Sequence, residues 1–183
     1  MMRAVLIRHA ATAGNIEKRY IGVTDESICP EGIAELCESY PEVKTVICSP
    51  MKRCLETAKL IYPSHEPVVY DDMRECDFGS FEGKNYEELN GDPGYQKWID
   101  SGGLTAFPGG EDPIAFRERS CSAFLQAAEK YDDAAFIVHG GTIMAVMERF
   151  AVPQRSFYDY NIRNGRGYIC WFENGSITSY EMI

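Results

Sequence analysis

The chain has 183 residues, of which 45% are apolar and 12% aromatic, and this length and composition suit one hydrophobic core and a single domain. Its formal charge of −10 disfavours nucleic acid as a partner, because a protein that neutralises many phosphates needs a basic face. No apolar run reaches the length of a membrane span, and the first apolar run is too short for a signal peptide. We therefore expect a cytoplasmic protein with no membrane partner, either a monomer or a homodimer.

Seven cysteines are present, an odd number at irregular spacings, and no Cys-x-x-Cys pair occurs. This pattern disfavours a disulfide scaffold and a zinc ribbon. Cys48, Cys121 and Cys170 lie within apolar stretches, where we expect reduced, buried thiols.

Short apolar runs rich in β-forming residues predict buried strands, and the longer stretches between them predict helices. The predicted strands cover residues 3–8, 44–48, 67–70 and 134–138. The predicted helices cover residues 30–40, 51–62, 113–131 and 142–150. Ser49 is the expected N-cap of the second helix and Pro50 its first residue. Strands that alternate with helices predict a three-layer α/β/α sandwich with a mostly parallel central sheet.

Two further features complete the predicted architecture. Residues 167–172 and 176–182 flank Asn174-Gly175, a strong hairpin signal, so we expect an antiparallel pair at the sheet edge. Residues 77–112 are rich in Gly, Pro, acidic and aromatic residues without long apolar periodicity. We interpret this stretch, called here the lid segment, as an insertion into the single domain.

Two of the three histidines directly follow predicted strands, in Arg8-His9 and in His139-Gly140-Gly141. Ligands of parallel sheets bind beyond the carboxyl ends of the strands. Arginine and unobstructed glycine N–H groups are donors suited to phosphate. The alternative is that both histidines are core residues with satisfied hydrogen bonds.

Other candidates follow from position. Arg53 lies about one turn into the helix that follows the second strand, at the same sheet edge, although the alternative is an exposed helix residue. Glu75 is the best candidate for an acid, because the neighbouring Cys and Phe could desolvate its carboxyl group and raise its pKa. Asp77 is the second choice, and His65 is interpreted as a surface residue.

These residues resemble the histidine phosphatase superfamily, the phosphoglycerate mutase-like proteins, whose hallmark is Arg-His-Gly-Glu-Thr followed by Asn. Here the hallmark is Arg8-His9-Ala10-Ala11-Thr12, with Asn15 at the expected step. Further blocks similar to those of the family lie, in the family's order, at residues 20–32, 49–58, 75–83 and 138–141. Ala10 and Ala11 replace the usual glycine and glutamate, and a Cβ at Ala10 would narrow the phosphate cradle if that position required positive φ.

The resemblance implies a metal-independent phosphatase without a cofactor, in which His9 is the nucleophile and forms a phosphohistidine. It implies that Glu75 is the general acid and base. The groups that would hold the phosphoryl oxygens are the side chains of Arg8, Arg53, His139 and Asn15 and the backbone N–H groups near Gly22 and Gly140.

The expected substrate is a small phosphorylated molecule. Between Glu75 and Arg117 the only basic residues are Lys84 and Lys97, so the lid segment offers little for a second anionic group. Its aromatic residues either line an apolar leaving group or pack against each other; they are Phe78, Phe81, Tyr86, Tyr95, Trp98 and Phe107, followed by Phe116.

The resemblance is nearest to small phosphatases such as alpha-ribazole phosphatase. Alternatives within the family are mutase-type phosphoryl transfer and a broad-specificity sugar phosphatase. Alternatives from other classes are a metal-dependent hydrolase that uses His9 and His139 as ligands and a non-catalytic phosphate-binding protein.

Overall fold

Six strands and six α-helices make up the chain in the computed structural model, which describes residues 1–183. The strands are β1 (Met2–Arg8), β2 (Thr45–Cys48), β3 (Val68–Val69), β4 (Asp133–Val138), β5 (Gly167–Glu173) and β6 (Ser176–Met182). The helices are α1 (Ala13–Ile16), α2 (Pro30–Ala34), α3 (Lys52–Ile61), α4 (Pro93–Asp100), α5 (Pro113–Ala128) and α6 (Gly140–Phe150). None of these helices combines the length and apolar character that a bilayer crossing needs.

One sheet contains all the strands, in the order β3-β2-β4-β1-β5-β6. β3, β2, β4 and β1 pair in parallel, whereas β5 pairs antiparallel to β1 and β6 antiparallel to β5. The predicted fold class, a mostly parallel sheet with an antiparallel edge, is therefore confirmed.

Alternate residues of the central strands supply two separate cores, since successive side chains of a strand point to opposite faces. Val5 and Ile7 pack on one face, in the cluster that also contains Cys54 and Ala58 of α3. Leu6 packs on the other face, in the larger cluster that contains side chains of α5 and α6. Helices thus cover both faces of the sheet and form the outer two layers.

The predicted hairpin is confirmed at β5 and β6. Asn174 and Gly175 have φ values of 51° and 80°, as a type I′ turn requires at both central positions. The two strands shift register between Trp171 and Phe172.

Several predicted helix ends were wrong. The helix predicted over residues 30–40 ends at Ala34, and the residues that follow it are hydrogen-bonded to the loop before β5 instead. The Tyr40 hydroxyl donates to the carbonyl of Gly165 at 2.8 Å and accepts from the N–H of Cys37 at 3.1 Å. The helix predicted to end at residue 131 stops at Ala128.

The predicted cap of α3 was also wrong. Met51 is the N-cap residue, and no side chain caps the helix. The Ser49 hydroxyl lies instead 2.8 Å from Nε2 of His139. Helix α6 begins at Gly140, two residues earlier than predicted, with His139 as its N-cap residue.

The lid segment contains one helix that the sequence analysis missed, α4. Its signals are local: the Asp92 carboxylate accepts from the N–H of Tyr95, and Pro93 is the first helical residue. Its eight residues, none of them buried, are too few for the long apolar periodicity on which the prediction relied, although Tyr95, Trp98 and Ile99 have helical spacing. The lid segment contributes Phe81, Leu89 and Phe107 to a third apolar cluster, with Cys76 and Phe116.

We expect Phe124→Ala to lower the free energy of unfolding by about 3–5 kcal/mol, the usual cost of truncating a buried phenylalanine. Phe124 is fully buried, and its ring contacts Phe136, Phe150 and Phe172. Urea titration measures the effect. The neighbouring Leu125, which is 38% exposed, is the matched control, and Leu125→Ala should cost less than about 1 kcal/mol. Equal costs would contradict the assignment of Phe124 to the core.

Candidate active site

The two strand-end histidines lie side by side. β1 pairs with β4 so that Arg8 is opposite Val138, and His9 and His139 directly follow these residues. Their ring centroids are 5.2 Å apart at an interplanar angle of 68°. Both side chains are buried, at 3% and 0% exposure.

The tautomer of His9 follows from its hydrogen bond. Nδ1 lies 2.7 Å from the carbonyl oxygen of Ala10, and since a carbonyl only accepts, Nδ1 carries the proton of the neutral ring. Burial lowers the pKa of His9 well below its ordinary value, and the charges of Arg53 and Arg8 lower it further. The ring is therefore neutral near pH 7, and the lone pair of Nε2 is free to react.

His139 is held on both ring nitrogens. Arg53 donates from Nε to Nδ1 of His139 at 3.3 Å, so Nε2 carries the proton and donates to Ser49. Burial lowers the pKa of His139 as well, and Arg53 adds to this shift. In this arrangement both nitrogens are engaged by protein groups.

Arg53 is fully buried and contacts the loop after α1. Its Nη2 donates to the carbonyl of Gly22 and its Nη1 to that of Thr24, both at 2.8 Å. With its bond to His139, this guanidinium connects the loop to the end of β4. The alternative of an exposed helix residue is thus excluded for Arg53.

Arg8 lies at the wall of a cavity of about 240 Å³. Its Nη1 donates to the carbonyl of Ile162 at 2.7 Å, whereas its buried Nε has no partner. Desolvation lowers the pKa of Arg8, and the charge of Glu75 opposes this shift. A buried N–H without an acceptor is costly, so Arg8 offers a donor suited to an anion.

Glu75 lines the same cavity. Its two carboxylate oxygens accept from the N–H groups of Cys76 at 2.9 Å and Gly141 at 3.0 Å. Desolvation nevertheless raises the pKa of Glu75, against these hydrogen bonds and the charges of Arg53 and Arg8. A raised pKa suits a carboxyl group that donates a proton.

Three further residues were expected to bind phosphate, Asn15, Gly140 and Gly22, and they are not equally available to a ligand. Asn15 and Gly140 line the cavity. Asn15 accepts through Oδ1 from the backbone of Thr12 and from Nδ2 of Asn164, both at 3.2 Å, so its own Nδ2 protons are left for a ligand. The N–H of Gly22 instead donates to the carboxylate of Glu82 at 3.0 Å, so the donor expected at Gly22 is already in use.

The cavity adjoins the buried cluster at Arg8 and Gly140, the chain neighbours of His9 and His139. Arg8, Asn15, Glu75 and Gly140 are among the residues that line the cavity, whereas His9, Arg53 and His139 are not. Of the aromatic residues in the lid segment and at Phe116, some line the cavity and others do not. Phe78, Trp98, Phe107 and Phe116 line the cavity; Phe81 is fully buried and Tyr86 is 54% exposed.

Sequence reasoning missed three residues that support the site. Thr57 accepts from the N–H of Ala10 at 2.9 Å and donates to the carbonyl of Arg53 at 2.6 Å. The Glu82 carboxylate binds the N–H groups of the loop at residues 22–24. Asn164 donates to the carbonyl of His9 at 3.0 Å. Thr57 and Glu82 lie within the family blocks, but no sequence signal identified Asn164.

Two expectations about charge and strain change. Ala10 does not have positive φ, since Lys18 and Asn174 are the only residues other than glycine that do. A Cβ at Ala10 therefore causes no backbone strain.

Arg19 and Arg117, which lie outside the lid segment, also line the cavity, so the cavity has more cations than the lid sequence indicated. Glu88 pairs with Arg19, and Glu148 pairs with Arg117 at 3.0 Å.

Fold and site define an α/β protein with imidazole and guanidinium groups gathered at the carboxyl ends of parallel strands. The chain belongs to the histidine phosphatase superfamily (branch 1), which matches it over residues 4–182. The resemblance found in the sequence is thereby confirmed, and the chain is a phosphatase by family.

Individual relatives agree with this class. The chain is 29% identical to an acid phosphatase of Mycobacterium tuberculosis, over 94% of this chain and 88% of the relative. It is 24% identical to the adenosylcobalamin/alpha-ribazole phosphatase of Escherichia coli, over 93% and 88% of the two chains. The structure of the alpha-ribazole phosphatase of Shigella flexneri superposes with a TM-score of 0.80 at 21% identity, covering 97% and 94%.

Gly141→Ala tests the position of Glu75. A Cβ on Gly141 would lie 2.2 Å from Oε1 of Glu75 and 2.9 Å from Cζ of Phe116, so the carboxyl group must move and the Phe116 ring must shift slightly. Because small displacements of a catalytic group cost about 10²-fold, we expect kcat to fall by about that factor with little change in thermal stability. Initial rates with a phosphate monoester and a melting curve measure both quantities.

Gly140→Ala is the matched control for this substitution. A Cβ on Gly140 would lie 3.3 Å from Cζ of Arg8, a much milder contact. Its loss of kcat should be less than about 10-fold. If both variants lost the same activity, the displacement of Glu75 would not be the cause.

Proposed function

We propose that this chain hydrolyses small phosphate monoesters through a phosphohistidine on His9. The observation that carries the proposal is the 2.7 Å hydrogen bond between Nδ1 of His9 and the Ala10 carbonyl. It leaves Nε2 unprotonated next to two guanidinium groups. A neutral imidazole beside cationic donors is what nucleophilic attack on a phosphoryl group requires.

In the first step, Nε2 of His9 attacks phosphorus in line with the ester oxygen. The N–P bond forms while the P–O bond to the leaving group breaks, and Glu75 gives its proton to the departing oxygen. Arg8 and the Nδ2 protons of Asn15 stabilise the charge on the phosphoryl oxygens. Burial and the charges of Arg53 and Arg8 keep His9 neutral, and the His139 ring packs edge-on against it.

In the second step, Glu75 is ionised and takes a proton from a water molecule. The resulting hydroxide attacks phosphorus, the N–P bond breaks, and inorganic phosphate and free His9 are released. Glu75 ends the cycle protonated, as it began, so one carboxyl group serves as acid and then base. The raised pKa of Glu75 supports this double role.

The cavity supports a leaving group with an apolar or aromatic surface. Phe78, Trp98, Phe107 and Phe116 line it, and two of its three arginines, Arg19 and Arg117, are paired with carboxylates. A paired cation attracts a second anionic group less, so mutase-type transfer is less favoured than hydrolysis. Alpha-ribazole 5′-phosphate is the substrate we propose, ahead of sugar phosphates; a screen of phosphorylated metabolites that measures phosphate release tests this choice.

We also propose that the reaction needs no metal ion and takes place in the cytoplasm. The charged groups beside the two imidazoles are the guanidiniums of Arg8 and Arg53, whose positive charges lower the pKa of His9 and would repel a metal cation as well. The Cys54 thiol lies 3.6 Å from Nε2 of His139, but burial raises its pKa and so disfavours the thiolate that a metal would bind. All seven cysteines are free thiols, the form that a reducing compartment maintains. Turnover should therefore be unchanged in a chelator.

His9→Asn and Glu75→Gln together test the mechanism. We expect His9→Asn to lose at least about 10³-fold in activity, because the nucleophile is gone. Glu75→Gln should slow alkyl phosphates by about 10²- to 10⁴-fold. The leaving group of p-nitrophenyl phosphate needs no proton. With this substrate, Glu75→Gln should still form the phosphohistidine at a rate near that of the wild type, but should hydrolyse it slowly.

Labelled phosphate bound to the protein after an alkaline quench is the decisive measurement. It should accumulate in Glu75→Gln and be absent from His9→Asn. Turnover by His9→Asn at the wild-type rate would exclude His9 as the nucleophile. Wild-type activity that a chelator abolishes and zinc restores would favour the metal-dependent alternative.

The pKa shifts predict a bell-shaped dependence of kcat/KM on pH. Activity requires neutral His9, so it rises with pH through a pKa well below 6.5. It also requires protonated Glu75, so it falls as pH passes a pKa raised above 4.5. Glu75→Gln should therefore remove the alkaline limb. A rate that increases continuously up to pH 9 would be incompatible with this assignment.

A further inference from the structure

A second cavity adjoins the first one on the other side of Arg8 and Asn15. Its volume is about 520 Å³, and Arg8, Asn15, Arg19 and Asn161 line both cavities. We call it the basic cleft. The remaining residues that line it are Ala11, Ile16, Lys18, Glu35, Ile162, Arg163 and Asn164.

The charges of the basic cleft are not balanced. Glu35 is its only acidic residue, against the cations Arg8, Lys18, Arg19 and Arg163. Arg19 pairs with Glu17 and Glu88, but none of the chain's ion pairs includes Lys18 or Arg163. In a protein with a formal charge of −10, this is a local field that attracts anions.

The backbone conformation of Lys18 makes it suitable for a test by substitution. Lys18 follows the end of α1 with φ of 57°, the left-handed conformation that usually has glycine at this position of a helix end. The N–H of Arg19 donates to the carbonyl of Gly14 at 2.8 Å, and that of Lys18 to the carbonyl of Asn15 at 3.0 Å. A lysine is thus placed where glycine would be less strained, at the wall of the cleft.

We propose that the basic cleft is an anion subsite that receives inorganic phosphate as it leaves the catalytic cavity. The proposal rests on the phosphatase function proposed above. Glu75 and the aromatic side chains line the first cavity and not the cleft, so the leaving group occupies the first cavity. The phosphate ion therefore leaves past Arg8, which lines both cavities, and enters the basic cleft, where Lys18 and Arg163 attract it.

The test compares two double variants that change net charge equally. Lys18→Gly/Arg163→Gln removes both unpaired cations of the cleft, and Lys59→Gln/Lys130→Gln removes two exposed cations that do not line it. We expect the inhibition constant of inorganic phosphate, measured against p-nitrophenyl phosphate, to rise about 5-fold in the first variant, as for the loss of one or two modest ionic contacts. It should change less than about 1.5-fold in the second. The difference should shrink near 1 M salt, where the Debye length is about 3 Å.

Stability separates binding from structure. Because glycine relieves the strain at residue 18, Lys18→Gly alone should unfold no earlier than the wild type while binding phosphate more weakly. Equal inhibition constants in the two double variants would overturn the proposal. A second result would also overturn it: the cleft variant binds a substrate with a second anionic group, such as a phosphoglycerate, more weakly, while phosphate inhibition is unchanged. The cleft would then bind the second anionic group of a substrate and not the phosphate product. Failure of the wild type to turn over p-nitrophenyl phosphate would refute the phosphatase function itself.

Discussion

The parallel register of β1 and β4 is the constraint on which the candidate site depends. With Arg8 opposite Val138, the N–H of His9 donates to the Val138 carbonyl at 3.0 Å, and the next residue is His139. A shift by one residue would turn each side chain to the other face of the sheet and separate the two rings. The apolar residues that alternate between the two cores hold this register, so packing energy fixes the relative position of His9 and His139.

Burial has opposite effects on the two titratable groups of the mechanism, and both effects suit the proposed chemistry. It disfavours the charged form of each group, which leaves His9 neutral and favours the protonated form of Glu75. The neighbouring arginines reinforce the shift of His9 and oppose that of Glu75. The site therefore combines a positive local field with uncharged reacting groups, in a protein whose overall charge repels phosphate.

Strand positions, helix layers and the terminal hairpin could be predicted because each has a local signal: an apolar run, its flanking breakers, or Asn174-Gly175. The order of the strands in the sheet has no such signal and was not predicted. The histidines could be located because they directly follow such runs. Other features had no local signal. Ser49 has the pattern of an N-cap, yet it contacts His139 from 90 residues away. Asn164 holds the carbonyl of His9 across 155 residues. Contacts of this kind depend on the tertiary structure, and so does the basic cleft, whose cations come from the two ends of the chain.

The position of β1 at the centre of the sheet also determines when the candidate site can form during synthesis. Its two neighbours, β4 and β5, lie more than a hundred residues further along the chain, and the backbone N–H of Gly165 donates to the Arg8 carbonyl at 2.9 Å. β1 must therefore wait for partner strands that are synthesised more than a hundred residues later. Contacts of such large sequence separation form late, so a nascent chain that has not reached β4 and β5 contains His9 but not the surroundings that keep its ring neutral.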